Sequence, residues 1–366
     1  DIGNGIAVDA TQNIYLAGSS TIDTFAGTTV TNHGRVLLAK YDAVGNPIWA
    51  RKAGAGVGGA QDTASGVAVD SSGNTFIAGT FFSATFTNDA AVLNSRGFSD
   101  GFLAKFDTSG NPVWIRQVGS NGADTAASVA TDGDNAILVG DFSATNVFGS
   151  MTLASAGGVL SDGFVAKYDS GGNVVWAQRL GGTGADAVRD VATDSVGAVC
   201  VTGFFQGAAS FGKLSSTSIA GTIDIFAACL RNDGTFEFVQ QAGGDDIAGE
   251  FGNGIAVDSA GNGVFTGSFR GNFVAGGTTL TSTGQDDVFV SRLVSPPSLT
   301  ISVTGSQLIF SWPSFWSGFG IQANDQTLNV NNWQNISLSN SNLVGDRIFI
   351  TNTSTTNVQF FRLLRP

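Results

Sequence analysis

The chain has 366 residues, of which 51 are Gly, 42% are hydrophobic and only 13% are charged. This apolar content, with 28 Phe, rules out disorder, and glycines without a triplet register rule out a collagen helix. The 29 acids against 17 bases leave a net charge of −12, which argues against nucleic acid or an anionic membrane surface as partner.

Gly, Ser, Thr, Val and Phe dominate, while Glu occurs only at Glu237 and Glu250 and His only at His33. That is a composition for strands rather than helices. No run of about 20 apolar residues offers a transmembrane helix. The longest stretch without charge, Leu293 to Asn324, is broken by Pro296, Pro297 and several Ser. The chain starts on Asp1 rather than Met, so it reads as a fragment or processed product with no leader left to read. Little Lys and Glu with abundant Ser, Thr and Asn fit an extracellular or cell-surface protein.

Taken in chain order, the first apolar phrase, G-I-A-V-D, ends at Asp9 and returns to end at Asp70, Asp132, Asp194 and Asp258, in steps of 61 to 64 residues. A second run follows each time, as in N-I-Y-L-A-G-S, N-T-F-I-A-G-T-F and N-A-I-L-V-G-D-F. A third block reads L-L-A-K-Y-D, F-L-A-K-F-D, F-V-A-K-Y-D and, degraded, F-A-A-C-L-R. It leads into a fourth run that carries Trp49, Trp114 or Trp176. Each repeat thus predicts four short strands, a to d. D-x-x-G-N turns join a to b and c to d; Asp accepts hydrogen bonds from the turn amides and Gly supplies positive φ. The b–c connection is longer and variable, where a repeat scaffold carries its contacts. Repeats of this kind cannot bury both faces alone and point to an all-β fold, a β-propeller with one blade per repeat.

The A-V-D phrase, the D-x-x-G-N turns, the D-G-F-x-A-K block and the N-P-V-W after it resemble the SBBP family, a seven-bladed β-propeller repeat of bacterial secreted and surface proteins. The resemblance covers residues 1 to about 295 and implies a propeller, but no common activity. Five repeats rather than seven leave a closed five-bladed ring or a piece of a larger propeller, and we read a closed ring.

Repeat 5 offers strands a, b and c and then meets Pro296-Pro297, so its outer strand d is missing. Asp1 falls in the loop before strand a of repeat 1, with no strand upstream to complete the last blade. Such an edge is normally covered or blocked. The C-terminal domain, a lost upstream piece or a strand from another subunit could each do so. The last, repeated head to tail, builds a filament.

Residues 1–295 are therefore read as a propeller and 296–366 as an immunoglobulin- or fibronectin-III-like β-sandwich. In the second domain S-L-T-I-S-V-T, Q-L-I-F-S-W-P, G-F-G-I-Q-A-N, D-R-I-F-I-T-N-T and V-Q-F-F-R-L-L-R-P alternate as strands. Trp312, Trp316 and Trp333 would furnish its core. It looks like the short sandwich domains that end many bacterial secreted proteins.

Candidate chemistry is sparse. Asp9, Asp70, Asp132, Asp194 and Asp258 could ring a channel mouth and hold a cation or sugar hydroxyls, or simply cap their turns. Asp132-Gly133-Asp134-Asn135 looks like the start of a calcium loop, but no Glu follows at the required place. His33 alone builds no Ser-His-Asp arrangement, and one His with two Cys builds no zinc site. The pairs Asp245-Asp246 and Asp286-Asp287 fall at loop positions. We expect no catalytic residue, no cofactor and no metal. Cys200 stands on strand b where other repeats place Tyr15, Phe76, Ile137 and Val264. Cys229 stands on strand c in place of Lys40, Lys105, Lys167 and Arg292. A disulfide between neighbouring strands accounts for both, the alternative being two separate buried thiols. Trp49, Trp114 and Trp176 read as packing between blades or, if exposed, as a sugar platform. Asn335 and Asn352 are glycosylation acceptors only if the host glycosylates.

The sequence therefore reads as a non-enzymatic extracellular structural protein that assembles with copies of itself into a fibre or surface layer. The alternative is a polysaccharide-binding or adhesion module working through the b–c loops. A propeller hydrolase or lyase would need a buried carboxylate pair facing the channel.

Overall fold

The computed structural model describes the chain except residues 22–23, 26–27, 31–33, 56–60, 195–196, 245, 247–248, 259–262, 294–298, 305–306, 314–319, 325–333, 336–340, 345–346, 354–359 and 365–366. His33, Asp245, Pro296, Pro297, Trp316 and Trp333 thus lie outside the described residues, and for Trp312, Asn335 and Asn352 only the backbone strand is described. The fold is all-β, and the chain divides into two compact parts, Asp1–Val294 and Ser295–Pro366.

In the first part repeats 1 to 4 each form an antiparallel sheet in the order a-b-c-d, and repeat 5 one in the order a-b-c. Repeat 1 has strands Ile2–Val8, Ile14–Ser19, Val36–Tyr41 and Pro47–Ala53. Repeat 2 has Thr63–Val69, Thr75–Phe81, Asp100–Phe106 and Pro112–Val118. Repeat 3 has Thr125–Asp132, Asn135–Phe142, Asp162–Tyr168 and Val174–Gly182, and repeat 4 has Ala187–Thr193, Val199–Gln206, Ile223–Leu230 and Phe236–Gly244. Repeat 5 has Phe251–Val257, Gly263–Phe269 and Asp287–Leu293, a three-stranded sheet among the described residues.

The turns form as their chemistry requires. Asp42 accepts the amides of Val44 and Asn46 on one carboxylate oxygen and the Asn46 side-chain amide on the other. Asp70, Asp107 and Asp169 repeat the pattern. Asp132-Gly133-Asp134-Asn135, by contrast, is a tight hairpin in which Asp132 and Asn135 are direct partners.

The b–c connections are ordered hairpins, not open loops: Thr24–Phe25 with Thr28–Thr29, Thr85–Thr87 with Val92–Asn94, Thr145–Phe148 with Met151–Ala154, Ala208–Phe211 with Leu214–Thr217 and Asn272–Ala275 with Thr278–Thr281. A Phe trio pins each of the last four. One ring comes from the end of strand b, one from the hairpin and one from the start of strand c: Phe81/Phe86/Phe102, Phe142/Phe148/Phe164, Phe205/Phe211/Phe226 and Phe269/Phe273/Phe289. Repeat 1 has Ser20, Phe25 and Leu37 at these places. The hairpins of repeats 4 and 5 also extend the sheet of the repeat before them: Phe211 pairs with Leu180 and Ala275 with Ala242.

The core lies between sheets. Four apolar clusters each join one repeat to the next. Strands b and c of the inner repeats, such as Thr75–Phe81 and Asp100–Phe106, are buried on both faces, so each repeat packs against its neighbours. The innermost strands a of successive repeats pack side by side, but Ile2–Val8 and Phe251–Val257 make no comparable contact. The expected closed ring is therefore not formed by these repeats; the row is open at both ends.

The second part holds two antiparallel sheets. Thr300–Thr304, Gln307–Pro313, Arg347–Thr353 and Ser341–Val344 form one, and Gln334–Asn335, Gly320–Asn324 and Phe360–Leu364 the other. Phe310 of the first sheet meets Phe361 of the second, with ring centroids 4.6 Å apart.

Candidate functional site

The repeated joint between adjacent sheets is the structural theme, and it is built from strand d of one repeat and the c–d turn of the next. Trp114 donates through Nε1 to the Ser170 carbonyl at 3.0 Å, and Arg116 donates to the carbonyls of Gly171 and Gly172 at 3.0 and 2.7 Å. Arg51 grips Ser109 and Gly110 in the same way, and Trp176 donates to Asn232. The indoles lie so close to the turn glycine that a Cβ on Gly110, Gly172 or Gly234 would sit 2.8–2.9 Å from the ring of Trp49, Trp114 or Trp176. Trp49, Trp114 and Trp176 are therefore joint residues, not an exposed sugar platform.

Buried carboxylates form a second layer of each joint. Asp62 accepts the amides of Phe82 and Ser83, Asp124 those of Ser120 and Ser143, and Asp186 those of Gly182 and Gln206. Each Asp precedes strand a and ties the end of the previous strand d to the next b–c hairpin. Asp1 does part of this in repeat 1, accepting the Thr21 amide. Asp100, Asp162 and Asp224 open strand c and are fully buried as well. Burial, with Asp162 nearby, pushes the Asp186 carboxyl up to about 6 despite its two amides and Arg179. Burial also raises Asp124 and Asp224.

The expected ring of Asp residues does turn-capping and ion pairing. Lys40 lies 3.9 Å from Asp9, Lys105 3.6 Å from Asp70, and Lys167 hydrogen-bonds Asp132. Burial raises the Asp9 carboxyl, but hydrogen bonds from Asn13, Thr11 and Tyr15 outweigh it and leave its pKa well below the ordinary range. Among the described residues no three His, Cys, Asp or Glu side chains could share a metal ion. In repeat 4 the Lys position is Cys229, which faces Cys200 directly across strands b and c, Cα atoms 4.1 Å apart, with the sulfurs bonded. Asp286 accepts from Arg270 on the surface.

The two ends of the row lack what every internal joint has. Ile6 is 69% exposed, whereas its counterparts Val67, Val129, Val191 and Ile255 are 8% exposed or less. Among the described residues nothing lies within 4 Å of a Cβ on Gly45, the counterpart of Gly110 and Gly172. At the other end Val288 and Val290 are 82% and 74% exposed, where the matching Ile225, Leu103 and Val165 are buried. The sequence reading expected repeat 5 to lack strand d, and among the described residues its sheet has three strands; these exposed faces were not foreseen. A separate groove of about 610 Å³ lies among the b–c and d–a connections of repeats 2 and 3, lined by Phe98, Asn121, Asp141, Ser143, Val159 and Leu160 among others.

Residues 48–80 match the SBBP model, a beta-propeller repeat. Two curated proteins are similar to this chain. An uncharacterized WD repeat-containing protein of Acanthamoeba polyphaga mimivirus is 28% identical over 44% of this chain and 13% of its own length. The regulatory protein FlaEY of Caulobacter vibrioides is 26% identical over 78% of this chain and 31% of its own. The chain thus spans less than a third of either relative. Similar solved structures include a protein of unknown function from Bacteroides caccae, with 11% identity, TM-score 0.37 and 82% of each chain covered. A gluconolactonase from Xanthomonas campestris has 12% identity and TM-score 0.35, with 72% of this chain and 69% of that one covered. No helix among the described residues is long and apolar enough to cross a membrane.

Proposed function

We propose that the chain is a non-enzymatic extracellular scaffold whose five repeats are blades of an open propeller and whose two ends join head to tail with further copies. The observation that carries this reading is the complementarity of the bare ends. The exposed face of repeat 5 (Val264, Val288, Val290) is the face that internal repeats press onto the next strand a, and the exposed face of repeat 1 carries Ile6, the residue that receives it. A contact that sets one surface against a different one is heterologous and, where its rotation does not close a ring, propagates into a fibre or layer. The Cys200–Cys229 bond fits an oxidising compartment. We read the Ser295–Pro366 part, with its two sheets meeting at Phe310 and Phe361, as an immunoglobulin- or fibronectin-III-like sandwich. No nucleic acid and no membrane insertion enter this reading. Electron microscopy of the purified chain over a concentration series tests it: regular end-to-end strings support it, and dispersed particles at every concentration reject it.

A second reading rests on the groove beside Asp141. An exposed aromatic, Phe98, stands with Ser143, Asn121 and the half-buried carboxyl of Asp141, the combination that binds a sugar ring by stacking and hydroxyl contacts. Saturable binding of a polysaccharide by the dispersed protein, lost in Phe98→Ala, would favour it.

A further inference from the structure

The head-to-tail reading leaves one part of the joint unsupplied, and the internal joints specify its chemistry. In repeats 1 to 4 strand c is flanked by b on one side and d on the other. In repeat 5, Asp287–Leu293 pairs with Gly263–Phe269, and among the described residues no strand takes the other edge. Strand d pairs with the second edge of strand c, and in repeats 1 to 3 it carries the ring that reaches the next repeat's turn, joined by a guanidinium two places on in repeats 1 and 2. The Trp49-Ala50-Arg51 and Trp114-Ile115-Arg116 segments do this, with the indole against Gly110 or Gly172 and the Arg on two carbonyls. Among the described residues the c–d turn with no ring against it is that of repeat 1, around Gly45, with Val44 exposed beside it. The bare edge and the bare turn are therefore the two halves of one unfilled joint.

We propose that the edge of Asp287–Leu293 is a docking site for an extended segment with the chemistry of strand d, an aromatic residue followed two places later by Arg, and that this segment supplies the grip on the Gly45 turn of the next copy. The partner is a separate peptide segment, because every strand d described in the chain is already paired within its own sheet. The register follows from the internal pairs. Lys105 faces Trp114, Leu103 faces Arg116 and Gly101 faces Val118 in repeat 2, so the incoming Trp stands opposite Arg292, its Arg opposite Val290 and a small or branched residue opposite Val288. Main-chain hydrogen bonds to the edge give affinity, and the alternate side chains give selectivity. The proposal rests on the reading of the ends as complementary halves of a joint.

The test uses the chain's own strand d as a probe: a labelled peptide of residues 111–119, Asn-Pro-Val-Trp-Ile-Arg-Gln-Val-Gly, added to the whole 366-residue protein. Three readouts run together: fluorescence anisotropy of the peptide, hydrogen-exchange protection of the Asp287–Leu293 amides, and particle mass by light scattering. The expected result is saturable binding, protection confined to that strand, and a severalfold rise in the associated fraction. Peptides with the Trp or the Arg replaced by Ala should lose that rise. Binding no tighter than a scrambled peptide, or protection elsewhere, overturns the proposal. Copies that associate while ignoring the peptide overturn it and leave the head-to-tail reading standing. Binding at the strand while the mass stays that of one chain overturns both the grip on Gly45 and the head-to-tail reading.

Discussion

Trp114 of repeat 2 donates its indole N–H to the carbonyl of Ser170 in repeat 3, 3.0 Å away, and in doing so covers Gly172. That pair condenses the logic of the molecule, because a turn that closes one sheet is also the socket for a side chain from its neighbour. Three such sockets are filled, and the one at Gly45 is empty among the described residues.

Substitution of these glycines should separate filled from empty sockets. Gly172→Ala forces a side chain into positive φ (77°) and against Trp114 and Arg116, and should cost about 2–4 kcal/mol. Gly45→Ala shares only the first penalty and should cost about 1 kcal/mol in the dispersed protein. Urea unfolding of the two variants checks the difference, and equal losses would mean that the Gly45 turn is as crowded as the others.

The hairpin rings offer a second check. Phe148→Ala removes the middle ring of a fully buried trio and should lower stability by about 3–5 kcal/mol. Phe25→Ala, in the half-buried counterpart where Ser20 and Leu37 replace two rings, should cost clearly less. Thermal unfolding of both variants reads the contrast.

The buried carboxyls make stability depend on pH in an unusual direction. An unfolded Asp titrates near 3.9, and Asp186 in the native state titrates at about 6, so the folded form holds the proton more tightly between these values. Its contribution is full below the unfolded pKa and fades as pH rises through about 6. The protein should therefore be more stable at pH 5 than at pH 7, by about 1 kcal/mol from this group alone. Asp124 and Asp224 act in the same sense. Below that window the turn residues Asp42, Asp107 and Asp169, whose hydrogen bonds lower their pKa, begin to lose stability. Urea midpoints at the two pH values test this, with Asp186→Asn expected to flatten the rise.

The cysteine pair gives a chemical readout. A thiol assay under denaturing, non-reducing conditions should find no free group, and reduction should lower stability by about 3 kcal/mol, since the bond closes a loop with a separation of 29 residues. Two free thiols would exclude the bond.

Much of this was legible in the sequence, for identifiable reasons. The phase of Asp9, Asp70, Asp132, Asp194 and Asp258 places every strand a, and period-two alternation with D-x-x-G-N turns places b, c and d. Cys200 and Cys229 were legible because both break a pattern at positions that strand pairing sets opposite each other. The b–c hairpins were not, since their strands are only two to four residues long and are held by rings distant in sequence, such as Phe142 and Phe164 around Phe148. Gln334–Asn335 and Ser341–Val344 were missed for the same reason of length. Nor could the open row be read from pattern alone. Ile6 has the same character as Val67, and only the packing around them shows that one is covered and the other bare.

The pairing of the two ends is tested most directly by the mass of the chain in solution across a hundredfold concentration range, for the native protein and for Ile6→Asp and Val290→Asp. Both side chains are exposed in the single chain, so both variants should fold. The mass of the native protein should climb with concentration while each variant stays at 37.4 kDa. A native protein that remains at that mass throughout, or variants that associate as it does, would contradict the head-to-tail account.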